Sequence, residues 1–162
     1  MRVLGIDPGL ATIGVGVVDC TSPYDAAAVD WFVITTPAGL PMADRLHEIE
    51  QDLRGFIAEA KPDLAVVERV FFAVNEQSAI EVAHARGVIL AVVAGAGLRV
   101  IEPTPLQLKS AIAGDGSADK RQMQDSIARL LKLPKPPTPA DAADALALAL
   151  YGGITDGAPG LR

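Results

Sequence analysis

The chain has 162 residues, half of them hydrophobic and 21% charged, with a formal net charge of −6. That length suits one ordinary domain whose core needs no disulfide or zinc staple, and it leaves no room for a second lobe of similar size. Cys20 is the single cysteine, which excludes an intrachain disulfide framework and a cysteine-based metal cluster and fits a reducing cytoplasm. A carboxylate as early as Asp7 is not expected in a signal peptide, and no apolar run is long enough to span a bilayer.

An acidic chain argues mildly against a phosphate-rich partner, but the charge is uneven. Residues 1–104 carry a net −7, residues 105–135 a net +3, and residues 136–162 a net −2. The basic tract reads either as a docking surface or as a solvated helix face.

In chain order, Val3–Ile6 is an apolar strand stopped by Asp7-Pro8-Gly9, and Ile13–Val18 pairs back on it. Val29–Thr35 makes a third strand. Apolar positions at Leu46, Ile49, Leu53, Phe56 and Ile57 predict a helix over Pro41–Ala60, ended by Lys61-Pro62. Leu64–Val67 has the unbroken apolar character of a strand buried on both faces. A helix over Asn75–Ala94 and a strand over Leu98–Ile101 follow, then helices over Pro105–Ala113, Ala118–Leu131 and Pro139–Tyr151. This order predicts an α/β fold: a mixed five-stranded sheet, an antiparallel three-strand meander with parallel additions, flanked by helices. Residues 1–152 are expected to form the domain and residues 153–162 a flexible tail.

Asp7 closes the first strand and Glu68 follows the buried one, at the strand ends where α/β sheets gather ligands. Each reads alternatively as a turn former or a helix cap. In the last helix, Thr138-Pro139-Ala140-Asp141 resembles an N-cap, a proline at the first helical position and an acid at the third. Asp144 has no such explanation. It stands one turn further on amid alanines and leucines, in a helix apolar on all sides, where an unpaired carboxylate costs roughly several kcal/mol. Spacing puts Asp141 and Asp144 on one face, with no basic residue in the helix to pair them. Four acids meeting at a sheet edge would repel unless a cation held them, and all-oxygen ligands favour Mg²⁺ or Mn²⁺ over zinc. Two such ions suit phosphodiester hydrolysis.

Ser117 is the expected N-cap of the following helix, which sets Lys120 at the third position against the helix dipole. A local rule broken there points to a phosphate held by free N–H groups and the lysine, against the alternative of a solvated side chain. Lys109 lies in a helix with no stronger signal, and Arg121 adds a second candidate phosphate contact. Phe71 and Phe72 leave the glutamate strand and read either as core or as aromatics that stack on bases. The helix from Asn75 is apolar on more than one side, as core packing or a twin helix would require. His47 and His84 lack metal-type spacing, and Glu102 has no role in this pattern.

The segments Gly5-Ile-Asp-Pro-Gly9, Gly14-Val-Gly16-Val, Val67-Glu-Arg-Val-Phe71, Ala85-Arg-Gly-Val88, Gly116-Ser-Ala-Asp-Lys120 and Asp141-Ala-Ala-Asp-Ala-Leu146 together resemble the RuvC Holliday-junction resolvases of bacteria. The resemblance runs from Arg2 to about Tyr151. It implies an RNase H-like fold and a homodimer that resolves four-way DNA junctions by paired nicks with 5′-phosphate and 3′-hydroxyl ends. It implies Asp7, Glu68, Asp141 and Asp144 as the metal-binding acids, and Phe71, Lys109, Lys120 and Arg121 as DNA contacts. It also implies partnership with the RuvA–RuvB branch-migration complex. Two rivals stand beside it: a non-catalytic junction binder, which would gain nothing from four acids near phosphates, and an actin-like ATPase, which would need two such lobes.

Overall fold

The computed structural model describes residues 1–23, 25–69 and 76–156. Ten elements follow in order: β1 (Arg2–Asp7), β2 (Thr12–Ser22), β3 (Asp25–Thr35), α1 (Met42–Ala60), β4 (Leu64–Val67), α2 (Glu76–Gly95), β5 (Arg99–Ile101), α3 (Pro105–Ala113), α4 (Lys120–Leu130) and α5 (Ala140–Asp156). The strands form one sheet in the order β3-β2-β1-β4-β5. β2 pairs antiparallel with both β1 and β3, and β4 and β5 add in parallel beyond β1. The expected architecture is therefore the one observed.

Alternation along the strands sorts side chains between two layers. Leu4, Ile6, Ile13, Val15, Ala65 and Val67 pack with Ile49, Leu53 and Ile57 of α1 and with Ala85, Ile89 and Val93 of α2. Val3, Val18, Cys20, Leu64 and Val66 face the other way, against α5, with α3 and α4 beside it. α5 is buried nearly throughout, from Ala142 to Leu150, as its all-round apolar sequence requires.

α5 reaches the sheet through missing side chains. A Cβ at Gly5 would strike the carbonyl of Ala145, one at Gly14 the carbonyl of Asp141, and one at Gly16 would sit 2.7 Å from the Leu146 nitrogen. Further along, Gly152 meets Val66 and Val3, and Gly153 meets Cys20. The helix thus continues past the Tyr151 end read from the sequence, to Asp156. The helix end expected before these glycines is not observed; each instead leaves room for side chains of the sheet. Of the expected tail, residues 153–156 belong to α5, and residues 157–162 lie outside the described residues.

Two helix starts also differ from expectation. Asp119, not Ser117, caps α4: its side chain accepts from the Gln122 N–H, and Gln122 reciprocates to the Asp119 N–H, both at 2.8 Å. Ser117 instead gives its N–H and hydroxyl to Asp115, at 2.8 and 2.7 Å, so it shapes the preceding loop. α5 begins one residue late, because the Pro139 carbonyl accepts the first helical bond from Ala143 and the Thr138 carbonyl accepts from the Trp31 indole. Asp141 accordingly occupies the second helical position. The start expected for α2 at Asn75 lies outside the described residues.

The close approach of α5 predicts opposite outcomes for two glycine substitutions. Gly16→Ala should destabilise by about 1–3 kcal/mol, since backbone must move to admit the methyl group. Gly55→Ala, in open space on α1, should stabilise by about 0.5–1 kcal/mol. Denaturant midpoints of the two variants check this.

Candidate active site

Register places the first two acids. Ile6 pairs with Val67 in the parallel β1–β4 ladder, so Asp7 and Glu68, the next residues, leave the sheet side by side. Both continue the alternation of Val3 and Gly5 or of Leu64 and Val66, and so project toward α5. Asp7 also pairs with Gly14 across the antiparallel ladder, and Gly14 is where the Asp141 carbonyl rests on the sheet. The first turns of α5 are thereby set above Asp7, with Asp141 and Asp144 on them.

The turn after Asp7 is tied down from α1. The Thr36 hydroxyl donates to the Leu10 carbonyl at 2.6 Å and accepts from Arg45 Nε at 2.9 Å, in a buried relay. Leu10 is itself buried. Glu68 is held through its backbone: its carbonyl accepts from Arg86 Nε at 3.0 Å, and the next N–H, of Arg69, donates to the Pro103 carbonyl at 2.9 Å.

Asp7, Glu68 and Asp144 line one cavity of about 230 Å³ together with Lys109 of α3 and Lys120 of α4. Leu108, Met123 and Leu148 supply its apolar wall. Burial pushes the Asp7 carboxyl up to about 7, reinforced by the negative charges of Glu68, Asp144 and Asp141 and opposed by Lys120. Glu68 is raised by burial and then by Asp144, against the pull of Lys109. Asp144 is raised by burial, with Lys120 opposing and Asp141 adding. The four acids predicted from the sequence are thus electrostatic neighbours, although Asp141 stands beside the cavity and does not line it.

These residues fit a hard divalent cation. The donors are all carboxylate oxygens, held partly out of water at strained charge, and positive charge among them would restore ionisation. Among the described residues, no three such side chains already converge on one point.

The basic candidates divide. Lys109 and Lys120 face the cavity. Lys120 is the first residue of α4, not the third; it still opposes the helix dipole there, while Gln122 at the third position completes the capping box, and its case as a phosphate contact rests on the cavity. Arg121 is 91% exposed, outside the cavity, 4.0 Å from Asp125. Phe71 and Phe72 lie outside the described residues. His47 is exposed and pairs with Glu50 at 3.3 Å, away from the acids. Arg86 stands in the Ala85-Arg-Gly-Val88 segment without a role assigned to it, and Glu102, also given none, proves to be its ion-pair partner. The two capping boxes, Thr104 with Gln107 and Asp119 with Gln122, were legible as residues spaced by three.

A sharp electrostatic consequence follows for the metal-free protein. Asp7 holds its proton to about 7 when folded and to 3.8 as a free side chain, so the folded state binds the extra proton between those values. That stabilising contribution is complete below about pH 4 and is lost as pH rises through about 7. In chelator near pH 8, Asp7→Asn should melt about 5 °C above wild type, and the gap should close near pH 4. Thermal melts across that range test it.

Comparison with known proteins places the chain in a family. A family model described as crossover junction endodeoxyribonuclease RuvC matches residues 3–151. RuvC of Chloroflexus aurantiacus is 46% identical over 155 residues, covering 96% of this chain and 94% of that protein. RuvC of Synechococcus sp. is 45% identical over 152 residues, covering 94% and 97%. The Thermus thermophilus RuvC structure superposes with a TM-score of 0.89 at 32% identity, over 96% of this chain and 95% of that one. The same protein in complex with Holliday junction substrate gives a TM-score of 0.88 at 29% identity, over 96% and 95%. By sequence and by fold, this chain belongs to the RuvC family of crossover junction endodeoxyribonucleases.

Proposed function

We propose that the protein is a divalent-metal-dependent endonuclease that resolves four-way DNA junctions by paired symmetric nicks, in recombination and repair. The observation that carries this reading is the cavity in which Asp7, Glu68 and Asp144 face Lys109 and Lys120. Acids alone would repel a phosphate, and lysines alone would bind it without cutting. Their combination suits a phosphodiester presented to cations.

Asp7, Glu68, Asp141 and Asp144 would hold the ions, Mg²⁺ with Mn²⁺ as substitute, two per site. Bound there, such cations supply a nucleophile from water and offset charge on the departing oxygen. Lys109 and Lys120 attract the scissile phosphate and offset its growing negative charge. Breaking the bond between phosphorus and the 3′ oxygen, with that oxygen as leaving group, would give 5′-phosphate and 3′-hydroxyl ends. Arg121, exposed on the first turn of α4, is available to the flanking backbone, and Phe71 is proposed to contact bases near the junction centre.

Two nicks of the same kind call for two equivalent sites, which an isologous homodimer supplies. The outer side of α2 supports this: Ile80 is 58% exposed, and Ala83, Gly87 and Ala91 follow at helical spacing on an exposed face that admits close approach of a twin helix. The RuvA–RuvB complex is proposed as partner and the cytoplasm, at the nucleoid, as location. No helix among the described residues is long and apolar enough to cross a membrane.

Denaturing gels of an end-labelled synthetic junction test the reading. Wild type with Mg²⁺ or Mn²⁺ should yield symmetric, ligatable nicks, while ATP alone should change nothing. Asp7→Asn should bind the junction as wild type does and cut at least about 100-fold more slowly. Cleavage by wild type in excess chelator, or unimpaired cleavage by the variant, would defeat the mechanism.

A further inference from the structure

Glu68 stands just beyond the end of β4, where the strand's own ladder no longer fixes the backbone. Its carbonyl is taken instead by a side chain of another element, Arg86 of α2, whose Nε donates to it at 3.0 Å. The same guanidinium gives Nη2 to the Glu102 carboxylate. Arg86 is largely withdrawn from solvent at 18% exposure, and Glu102 is half-buried at 35%. A guanidinium is planar and its donors are set in a rigid fork, so an edge held by Glu102 aims Nε in a defined direction. Glu102 itself sits between β5 and α3, next to Pro103, whose carbonyl receives the Arg69 N–H at 2.9 Å.

We propose that Arg86 and Glu102 form a positioning pair for Glu68, fixing the backbone from which its carboxylate enters the cavity. The inference rests on the metal-site reading above. The pair is not needed to hold the sheet together, because β5 is already in register with β4 through Leu64–Arg99, Ala65–Val100 and Val66–Ile101. Nor is it the general mode of ion pairing in this fold. Arg99 with Asp156 and Arg2 with Asp19 tie element ends and touch none of the site residues. The Arg86 pair alone among these ends on a residue of the cavity. It also links that residue to the segment leading into α3, which carries Lys109, so Glu68 and Lys109 are set by a common anchor.

Partners that orient a metal ligand from behind typically contribute ten- to a hundred-fold to metal affinity or activity. The decisive measurement is Mn²⁺ binding to the DNA-free full-length protein, by electron paramagnetic resonance and calorimetry. Arg86→Gln and Glu102→Gln should each raise the Mn²⁺ half-saturation concentration about tenfold. The double variant should be little worse than either, because both act through one relay. Arg86→Lys keeps the charge opposite Glu102, but a single ammonium does not reproduce the fork. It should therefore melt like wild type and still bind Mn²⁺ more weakly. Arg99→Gln, which breaks a comparable pair elsewhere, should leave Mn²⁺ binding unchanged. High Mn²⁺ should restore the cleavage rate of the Arg86 and Glu102 variants, which a merely unstable fold would not show. Wild-type Mn²⁺ affinity in folded Arg86→Lys and Glu102→Gln, or an equal loss in Arg99→Gln, overturns the positioning role alone. Absence of Mn²⁺ binding by the wild type overturns the metal-site reading and this inference with it.

Discussion

Helix α5 lies so close to β1 and β2 that no side chain fits between them at Gly5, Gly14 or Gly16. Everything chemical in the molecule depends on that approach. The strand register alone sets Asp7 beside Glu68, two acids at one rim. Only when the Asp141 carbonyl comes down on Gly14 do the first turns of α5 stand over that rim. The alanines of α5 serve the same end from the other side, keeping the helix thin where it crosses the sheet. Close packing of this kind tolerates little change in volume, so the position of two carboxylates is fixed by the stiffest part of the structure.

That stiffness holds an arrangement which is electrostatically unfavourable by itself. Asp7, Glu68 and Asp144 are all raised by burial first, and each is raised further by a neighbouring acid: Asp7 by Glu68, Asp144 and Asp141, Glu68 by Asp144, and Asp144 by Asp141. Lys109 and Lys120 reduce the repulsion without cancelling it. A fold selected for stability alone would place none of these acids here. The acidic charge of the whole chain is compatible with the polyanionic substrate proposed, because the local basic tract of residues 105–135 contributes both cavity lysines.

Much of this was legible in the sequence because it is periodic or locally contradictory. Period-two apolar runs and unbroken Leu64–Val67 identified the strands, and an acid in an otherwise apolar helix marked Asp144. The errors came from position-level chemistry. Ser117 is a good cap by type, yet Asp115 captures its hydrogen bonds and leaves the role to Asp119. Lys120 opposes the helix dipole from the first position, not the third, and it faces the cavity for a tertiary reason that no local pattern carries. Gly152 and Gly153 looked like the end of a helix, because no local pattern says that Val3, Val66 and Cys20 need the space. The Arg86–Glu102 pair joins different elements sixteen residues apart and has no spacing rule to betray it.

The order of elements has one more effect. β1 and β2 are made first and α5 last, so the glycine-lined surface of the sheet stays uncovered until nearly the whole chain has left the ribosome. Two of the four acids arrive only with that final helix. A polypeptide truncated before α5 therefore lacks two of the four carboxylates proposed to hold the ions, and these come into place with the helix that covers the sheet.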